Sequence, residues 1–286
     1  MSDILMVGGA GFTGSNFVNY MMQHTKYKVS TIDNLRVGSL QNLAPAQAAK
    51  NRHSFYLADV KDKYISKKIF QIEKPKTVIY NCLQFKGYLE EEIDVMKDFI
   101  SVAKEAFCVR NFVVLLPSKV PVTMQFEVRQ ILKEEFETKN VHFSKEFKWF
   151  VINPCNVFGP RQSEGKAVEI IKTHLSNPEA EELEDKYLEL ISKQQEWMYI
   201  KDYFIKFMNL LDGAEDKTKS GIYILSTGQW ASEKDIYHFV DDVLKEREER
   251  HTWDTNLGNP GEYNFDLVSA LEHTIVWYDK NRWSWR

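Results

Sequence analysis

Three glycines, Gly8, Gly11 and Gly14, stand three residues apart, directly after a short apolar run, Ile4–Val7. They directly precede a stretch of helical periodicity in which Phe17, Tyr20 and Met21 share a face. A chain that turns this tightly from strand to helix needs residues without side chains. The helix N-terminus then offers unbonded N–H groups to an anion. Cradling a pyrophosphate is the chemistry this spacing suits. Glycines would serve a ligand-free turn equally well, so their meaning depends on a partner residue. Asp33 is that partner. It ends the next apolar run, Lys28–Ile32, nineteen residues past Gly14 (33 − 14), where a carboxylate can accept hydrogen bonds from an adenosine ribose. An acid there favours NAD, because it repels a 2′-phosphate; Arg36 nearby leaves NADP as the less favoured alternative.

The elements that must hold this turn follow from patterning. Ser54–Leu57, Thr77–Tyr80, Phe112–Leu116 and Trp149–Ile152 are further apolar runs, separated by helix-length amphipathic stretches. Continuous rather than alternating apolar strands mark a parallel sheet covered on both faces. The expected fold is therefore α/β, a Rossmann-like doubly wound parallel sheet with a smaller C-terminal α/β lobe. The expected domains are 1–156, dinucleotide-binding, and 157–286, of which about 203–226 returns to the main sheet. Ser232 is expected to cap a helix with Ile236, Phe239, Val240 and Val243 on its buried face.

The chain has 286 residues, 43% hydrophobic and 27% charged, enough to bury a sizeable core. With 37 Lys+Arg against 41 Asp+Glu, it has no basic footprint for nucleic acid. No apolar run reaches the ~18 residues of a membrane span. Cys82, Cys108 and Cys155 match neither zinc spacing nor a disulfide framework, and no metal is expected. Together with a first strand starting at Ile4, these features predict the cytoplasm or another reducing intracellular compartment.

Several segments carry a family resemblance. Gly8-Gly9-Ala10-Gly11-Phe12-Thr13-Gly14 resembles the opening of the extended short-chain dehydrogenase/reductases, and among them the dTDP-glucose 4,6-dehydratases. Asp33-Asn34-Leu35 with Gly38–Leu43 resembles the family's second-strand loop, and Asp59-Val60 its adenine-contacting pair. Asn156–Gln162 is similar to its Asn-x-Tyr-Gly-Pro-x-Gln motif, Trp197–Asp202 to its Trp-Leu-Tyr-Val-x-Asp segment, and Leu271–Tyr278 to its terminal helix. The resemblance implies bound NAD held by Gly8, Gly11, Phe12, Thr13, Gly14, Asp33, Asn34, Asp59 and Val60. It also implies a dTDP- or UDP-hexose near Asn156 and Arg161, and a homodimer built from helices 90–107 and 124–137. The apolar stripes Ile93/Met96/Ile100/Ala103/Phe107 and Phe126/Val128/Leu132/Phe136 fit that dimer, or simply cover the sheet.

The positions that would do the chemistry depart from the family. Its Tyr-x-x-x-Lys pair, which performs the proton transfers, falls on Gln125 and Arg129. Glutamine is neither acid nor base at neutral pH, and arginine keeps its proton. The family's Thr-Asp-Glu run falls on Pro117, Ser118 and Lys119. Two phosphate-binding arginines fall on Gln195 and Asn259. One Tyr-x-x-x-Lys does occur, Tyr64 and Lys68, but on a helix expected to lie on the surface. The sequence thus predicts an NAD-binding, dehydratase-like protein with impaired or absent catalysis, in a binding, structural or regulatory role. The alternative is an active dehydratase, epimerase or reductase that uses displaced residues such as Lys86, Tyr88 or Lys119. His24, His53 and His142 are expected at the surface or in loops, and Trp253, Trp277, Trp283 and Trp285 in packing.

Overall fold

The computed structural model describes residues 1–49, 51–83, 89–118, 120–138, 147–176, 187, 190–212, 218–250 and 265–285. They form two compact units: unit 1 is Met1–Pro154 with Phe207–Leu225, and unit 2 is Cys155–Lys206 with Ser226–Arg286.

Unit 1 is a seven-stranded, wholly parallel sheet in a Rossmann-like α/β fold. Its strands are β1 (Ile4–Val7), β2 (Val29–Asp33), β3 (His53–Leu57), β4 (Thr77–Tyr80), β5 (Asn111–Leu115), β6 (Lys148–Pro154) and β9 (Gly221–Leu225), in the order β3-β2-β1-β4-β5-β6-β9. Every residue of β1, β2 and β4 is buried, as expected of strands covered on both faces. The order reverses between β1 and β4, and doubly wound sheets bind ligands at that crevice. The helices are α1 (Phe12–His24), the single turn α2 (Ala44–Gln47), α3 (Lys63–Glu73), α4 (Leu89–Glu105) and α5 (Val122–Lys133). Asp62 caps α3 by accepting from the N–H groups of Tyr64 and Ile65, each at 3.0 Å. Lys61, Lys63 and Lys67 reach across to Glu91, Asp98 and Glu105, a half-exposed ladder worth little on its own.

The stripes on α4 and α5 resolve differently from expectation at one residue each. Ile93, Met96, Ile100 and Ala103 are buried in the same core as β4 and β5, so that face covers the sheet. Phe107 does not continue it: α4 ends at Glu105, and Phe107 takes a left-handed φ of 53° and is 74% exposed. On α5, Val128 and Leu132 are buried, and Phe136 follows them to pack on Phe112 at 5.4 Å. Phe126 lies two residues from Val128, which points it roughly to the opposite side of a 3.6-residue helix, and it is 55% exposed.

Unit 2 carries a three-stranded sheet of β7 (Asn156–Phe158), β8 (Gln195–Tyr199) and β10 (Trp230–Ala231), in the order β10-β8-β7. Its helices are α6 (Lys166–Ser176), α8 (Glu233–Arg250) and α9 (Leu267–Lys280); α7 (Ile200–Asp212) starts in unit 2 and ends in unit 1. Ser232 caps α8 reciprocally: its Oγ accepts from Asp235 N–H at 3.0 Å, and Asp235 Oδ2 accepts from Ser232 N–H at 2.7 Å. Ile236 and Val240 are buried on α8, whereas Phe239 and Val243 are only half-buried. Trp277 and Trp283 meet at 6.4 Å, and Trp285 Nε1–H donates to the carbonyl of Tyr278 at 3.1 Å, so Trp277 and Trp285 pack the end of α9 while Trp283 stays 46% exposed. Trp253, His142 and the 258–263 segment with Asn259 lie outside the described residues. Among the described residues no helix is long and apolar enough to cross a membrane, and no three acidic, Cys or His side chains cluster as metal ligands.

Candidate functional site: a glycine turn at the sheet's switch point

The turn after β1 separates its glycines by purpose. Gly8 has φ +74°, and a Cβ there would lie 2.5 Å from the carbonyl oxygen of Asn81, the residue after β4. A Cβ on Gly14 would lie 2.3 Å from the carbonyl oxygen of Gly8 and 2.6 Å from Gly9 Cα. Real side chains do not fit at either position, so the fold itself requires both glycines. Gly11 differs: a Cβ there would meet only the Gly8 oxygen, at an ordinary 3.6 Å. Its bare face is open, and it is the N-cap of α1. No side chain caps that helix, and no acidic residue lies in its first turn. Phe12 and Thr13, both half-buried, begin the helix. An open face beside an uncapped helix N-terminus fits a bound pyrophosphate, which accepts from N–H groups and is favoured by the helix dipole.

Asp33 is nearly fully buried, and its carboxylate is built into the turn. Oδ2 accepts from Ala10 N–H and Oδ1 from Leu35 N–H, both at 2.8 Å. Each carboxylate oxygen has two lone pairs, so one site on each remains for a ribose hydroxyl. The segment after Asp33 closes over the same turn. Ala10 O accepts from Ser39 N–H at 3.1 Å and from Asn42 Nδ2 at 3.0 Å. A Cβ on Gly38 would lie 2.6 Å from the carbonyl carbon of Ala10.

Beside it, Asn34 Nδ2 donates to Asp59 Oδ2 at 3.0 Å, Lys61 N–H donates to Asp59 Oδ1 at 3.0 Å, and Arg36 stands 3.9 Å from Asp59. Burial alone would raise the Asp59 pKa. The hydrogen bonds from Lys61 and Asn34 and the charges of Arg36 and Lys61 outweigh it, so the carboxyl lies below its ordinary range. Val60, next to it, packs half-buried on the core. Sequence reading did not single out Asn81 and Cys82, which close the far side of the turn. Their signal was positional only: they follow β4, the strand across the reversal. The Cys82 thiol is pushed well above its ordinary pKa, first by burial and then by the charges of Asp33, Asp59 and Glu92. It is therefore no thiolate nucleophile.

Of the positions that would carry catalysis, Gln125, Arg129, Pro117 and Ser118 lie among the described residues. Gln125 and Arg129 both lie on α5. Gln125 is half-buried and its Nε2 donates to the carbonyl of Val120 at 3.2 Å; Arg129 is exposed. Pro117 and Ser118 follow β5, half-buried, and Lys119, Lys86 and Tyr88 lie outside the described residues. Tyr64 is 66% exposed on α3, with Lys68 Nζ 4.3 Å above its ring, a surface cation–π pair.

In unit 2, Asn156 does not bond its own turn. Its Nδ2 donates to the carbonyl of Glu196 at 3.0 Å and to Gln195 Oε1 at 3.3 Å. Gln195 Nε2 in turn donates to Glu233 at 3.3 Å, a buried carboxylate that also accepts from Ile191 N–H. Glu196 occupies a loop of donors, accepting from Thr227 N–H at 2.7 Å and Gly228 N–H at 2.6 Å. Arg161, at φ +70°, has its guanidinium 5.6 Å from the Trp277 ring centroid, and burial lowers its pKa. Tyr199 hydroxyl bonds His273 Nδ1. Burial, with Lys201 and Arg161 nearby, lowers the His273 pKa to about 4.

This geometry can be set beside known proteins. Residues 4–103 match the NAD dependent epimerase/dehydratase family. That match covers the motifs up to Asp59-Val60 and leaves those at 156–162, 197–202 and 271–278 outside it. The matched span holds the glycine turn, Asp33 and Asp59, and stops before α5. The chain is 29% identical over 100 residues to a dTDP-glucose 4,6-dehydratase of Haemophilus influenzae, covering 35% of this chain and 29% of that protein. It is 36% identical over 78 residues to the dTDP-glucose 4,6-dehydratase of Salmonella typhimurium, covering 27% and 21%. The matched part thus spans less than a third of the length of either relative. Over the whole chain the fold is similar to a Bacillus anthracis dTDP-glucose 4,6-dehydratase solved in complex with NAD. The TM-score is 0.73 at 16% identity, covering 99% of this chain and 98% of that one. It is also similar to a Thermotoga maritima UDP-glucose 4-epimerase solved with UDP-glucose, with a TM-score of 0.69 at 18% identity and coverage of 98% and 99%.

Proposed function

We propose that unit 1 binds NAD(H) at the Gly8–Gly14 turn, and that the chain is a nucleotide-sugar dehydratase-like protein with little or no turnover, acting as a binding, structural or regulatory protein. The N–H groups opening α1 at Phe12, Thr13 and Gly14 receive the pyrophosphate. The remaining lone pairs of Asp33 accept from the adenosine ribose, and its charge selects against a 2′-phosphate. Asn34, Asp59 and Val60 flank the adenine. NAD, when bound, accepts and returns a hydride. This chain lacks the proton transfers that must accompany that hydride. The observation that carries the reading is Gln125. The position on α5 that the resemblance assigns to proton transfer holds an amide, which is neither acid nor base at neutral pH and whose Nε2 donates to the carbonyl of Val120.

The same reading assigns Asn156 and Arg161 to a dTDP- or UDP-hexose, with weakened affinity because Gln195 and Asn259 replace charged donors. Such charge-assisted bonds contribute about 1.5–3 kcal/mol each. A homodimer is part of this reading, and the exposed Val122 and Phe126 on α5 support it. Calorimetric titration with NAD and with NADP tests the cofactor assignment: saturable binding with NAD preferred is expected, and binding of neither, or preference for NADP, overturns it. Light scattering at micromolar concentration should give twice the 33.6 kDa chain mass. A monomeric mass removes the dimer.

A further inference from the structure

We propose that His174 is a proton-sensitive joint between α6 and α8 of unit 2: a proton taken up on its Nε2 loosens the packing of the two helices. His174 is 5% exposed. Its Nδ1 lies 2.8 Å from the carbonyl oxygen of Ile170, one turn back on α6. A carbonyl only accepts, so Nδ1 carries the hydrogen and Nε2 is a bare lone pair. That Nε2 is buried with no hydrogen-bond partner among the described residues. The ring meets Tyr237 of α8 edge-on, with centroids 4.6 Å apart at 61°, and Tyr187 packs on the same tyrosine at 5.1 Å.

Among the described residues, the charged and titratable groups of α8 about the ring and its tyrosines are Asp241 and Lys245, His238, which meets Tyr237 at 5.8 Å and Tyr187 at 5.3 Å, and Lys234, whose Nζ lies 4.7 Å from the Tyr187 ring centroid. Asp241 and Lys245 on α8 act on it in opposite directions and pair with each other at 2.6 Å. From α9, Tyr278 meets α6, and its ring takes Lys172 Nζ at 5.4 Å. Burial is the largest influence and lowers the proton affinity of His174; Lys245 acts the same way, against Ile170 O and Asp241. A protonated ring would bury a new N–H and a whole charge with no acceptor among the described residues, which is costly in a packed interior. The closed packing therefore belongs to the neutral ring.

The sign follows from linkage. A folded pKa below the unfolded value of about 6.5 leaves the closed packing at full strength above that pH. Its advantage is lost as pH falls below about 6.5, at most tenfold in the closed-to-open ratio per unit. His53 in unit 1 and His273 in unit 2 are also depressed, so the test must be local. Hydrogen exchange on the full chain, corrected for intrinsic rates, compares pH 7.5 with pH 5.5 in the unmodified protein, His174→Gln and His174→Phe. Protection of α6 and α8 amides should fall up to about tenfold in the unmodified protein, and no more than that of β1 in the variants. An equal local fall in the variants, or none in the unmodified protein, overturns the proposal. Because both variants alter a packed site, a ring-proton NMR titration provides a second readout. The His174 ring should take up its proton at a lower pH than an ordinary histidine while the fold is closed; ordinary titration near about 6.5 with α6 and α8 still packed overturns the joint.

Discussion

Gly11 and Gly14 lie three residues apart in one turn, yet the same substitution should have opposite consequences at the two. At Gly11 the backbone is extended, φ −75° and ψ −176°, which any residue adopts, and a Cβ meets nothing closer than 3.6 Å. The cost of Gly11→Val to the fold is then that of a poorer N-cap, about 0.5–1 kcal/mol. In a chain of this size that lowers the melting temperature by roughly 1–2 °C. The added side chain nevertheless fills the open face where a pyrophosphate must approach the N–H groups of α1. At Gly14, by contrast, a Cβ would be 2.3 Å from one backbone atom and 2.6 Å from another. Neither can yield without unmaking the turn, so Gly14→Ala should cost about 3 kcal/mol or more. Thermal unfolding and calorimetric titration on the same samples separate the two. The expected result is a Gly11→Val protein that melts near the unmodified one and shows no NAD heat, beside a Gly14→Ala protein that is grossly destabilised. A Gly11→Val protein that still binds NAD normally would refute the assignment of that open face.

Two further substitutions test how carboxylates are used. Asp33→Asn turns one of two acceptors into a donor facing Ala10 N–H or Leu35 N–H; the buried mismatch should cost about 1–3 kcal/mol, read as a lower urea midpoint. Glu73 is buried and accepts from Ser2 Oγ at 2.7 Å and Tyr56 hydroxyl at 2.6 Å. Burial opposes its ionisation, but the bonds from Tyr56, Ser2 and Ser30 prevail, so its pKa lies below the ordinary 4.5. A depressed carboxyl stabilises the fold fully above about pH 4.5 and loses that contribution as pH falls through the lower folded value. Glu73→Gln should therefore be clearly less stable at pH 7, with the gap narrowing in acid; a gap constant down to pH 3 would contradict this.

Six strands of the sheet were legible as continuous apolar runs: Ile4–Val7 and Thr77–Tyr80 could be read to the residue, and β2, β3, β5 and β6 to within a residue or two at each end, whereas β9 was expected only as part of a segment, about 203–226, returning to the sheet. Runs of four or five apolar residues are too short for a helix, which leaves a strand covered on both faces as their reading. Helical stripes were less legible where a helix ends or the spacing slips. Ala103 to Phe107 is the right interval, but α4 stops at Glu105. Phe126 to Val128 is the wrong interval, and Phe126 points outward accordingly. At the glycine turn, residue types told what could bind but not which glycine serves the fold and which an open face; that needed the contacts of an imagined Cβ. Asp33 was read as a candidate ribose acceptor, but its bonds from Ala10 and Leu35 N–H were not legible, because those partners are main-chain groups without sequence signature. His53, expected at the surface, is half-buried against Thr31 Oγ1 at 3.0 Å. His174 was not singled out at all, since a histidine bonded to its own helix leaves no mark in composition or spacing.

Turnover with the protein as it stands tests the central claim most directly: purified chain, NAD, and either dTDP-glucose or UDP-glucose, with the 4-keto-6-deoxy sugar as readout. Each missing proton-transfer group typically forfeits about 10²–10⁴-fold, and Gln125 and Arg129 supply neither an acid nor a base. The expected result is NAD bound and no product above background, with Gln125→Tyr combined with Arg129→Lys as the informative double substitution. Product formed by the unmodified protein at ordinary enzyme rates would contradict the claim and move the chemistry to residues such as Ser118, Tyr88 or Lys119.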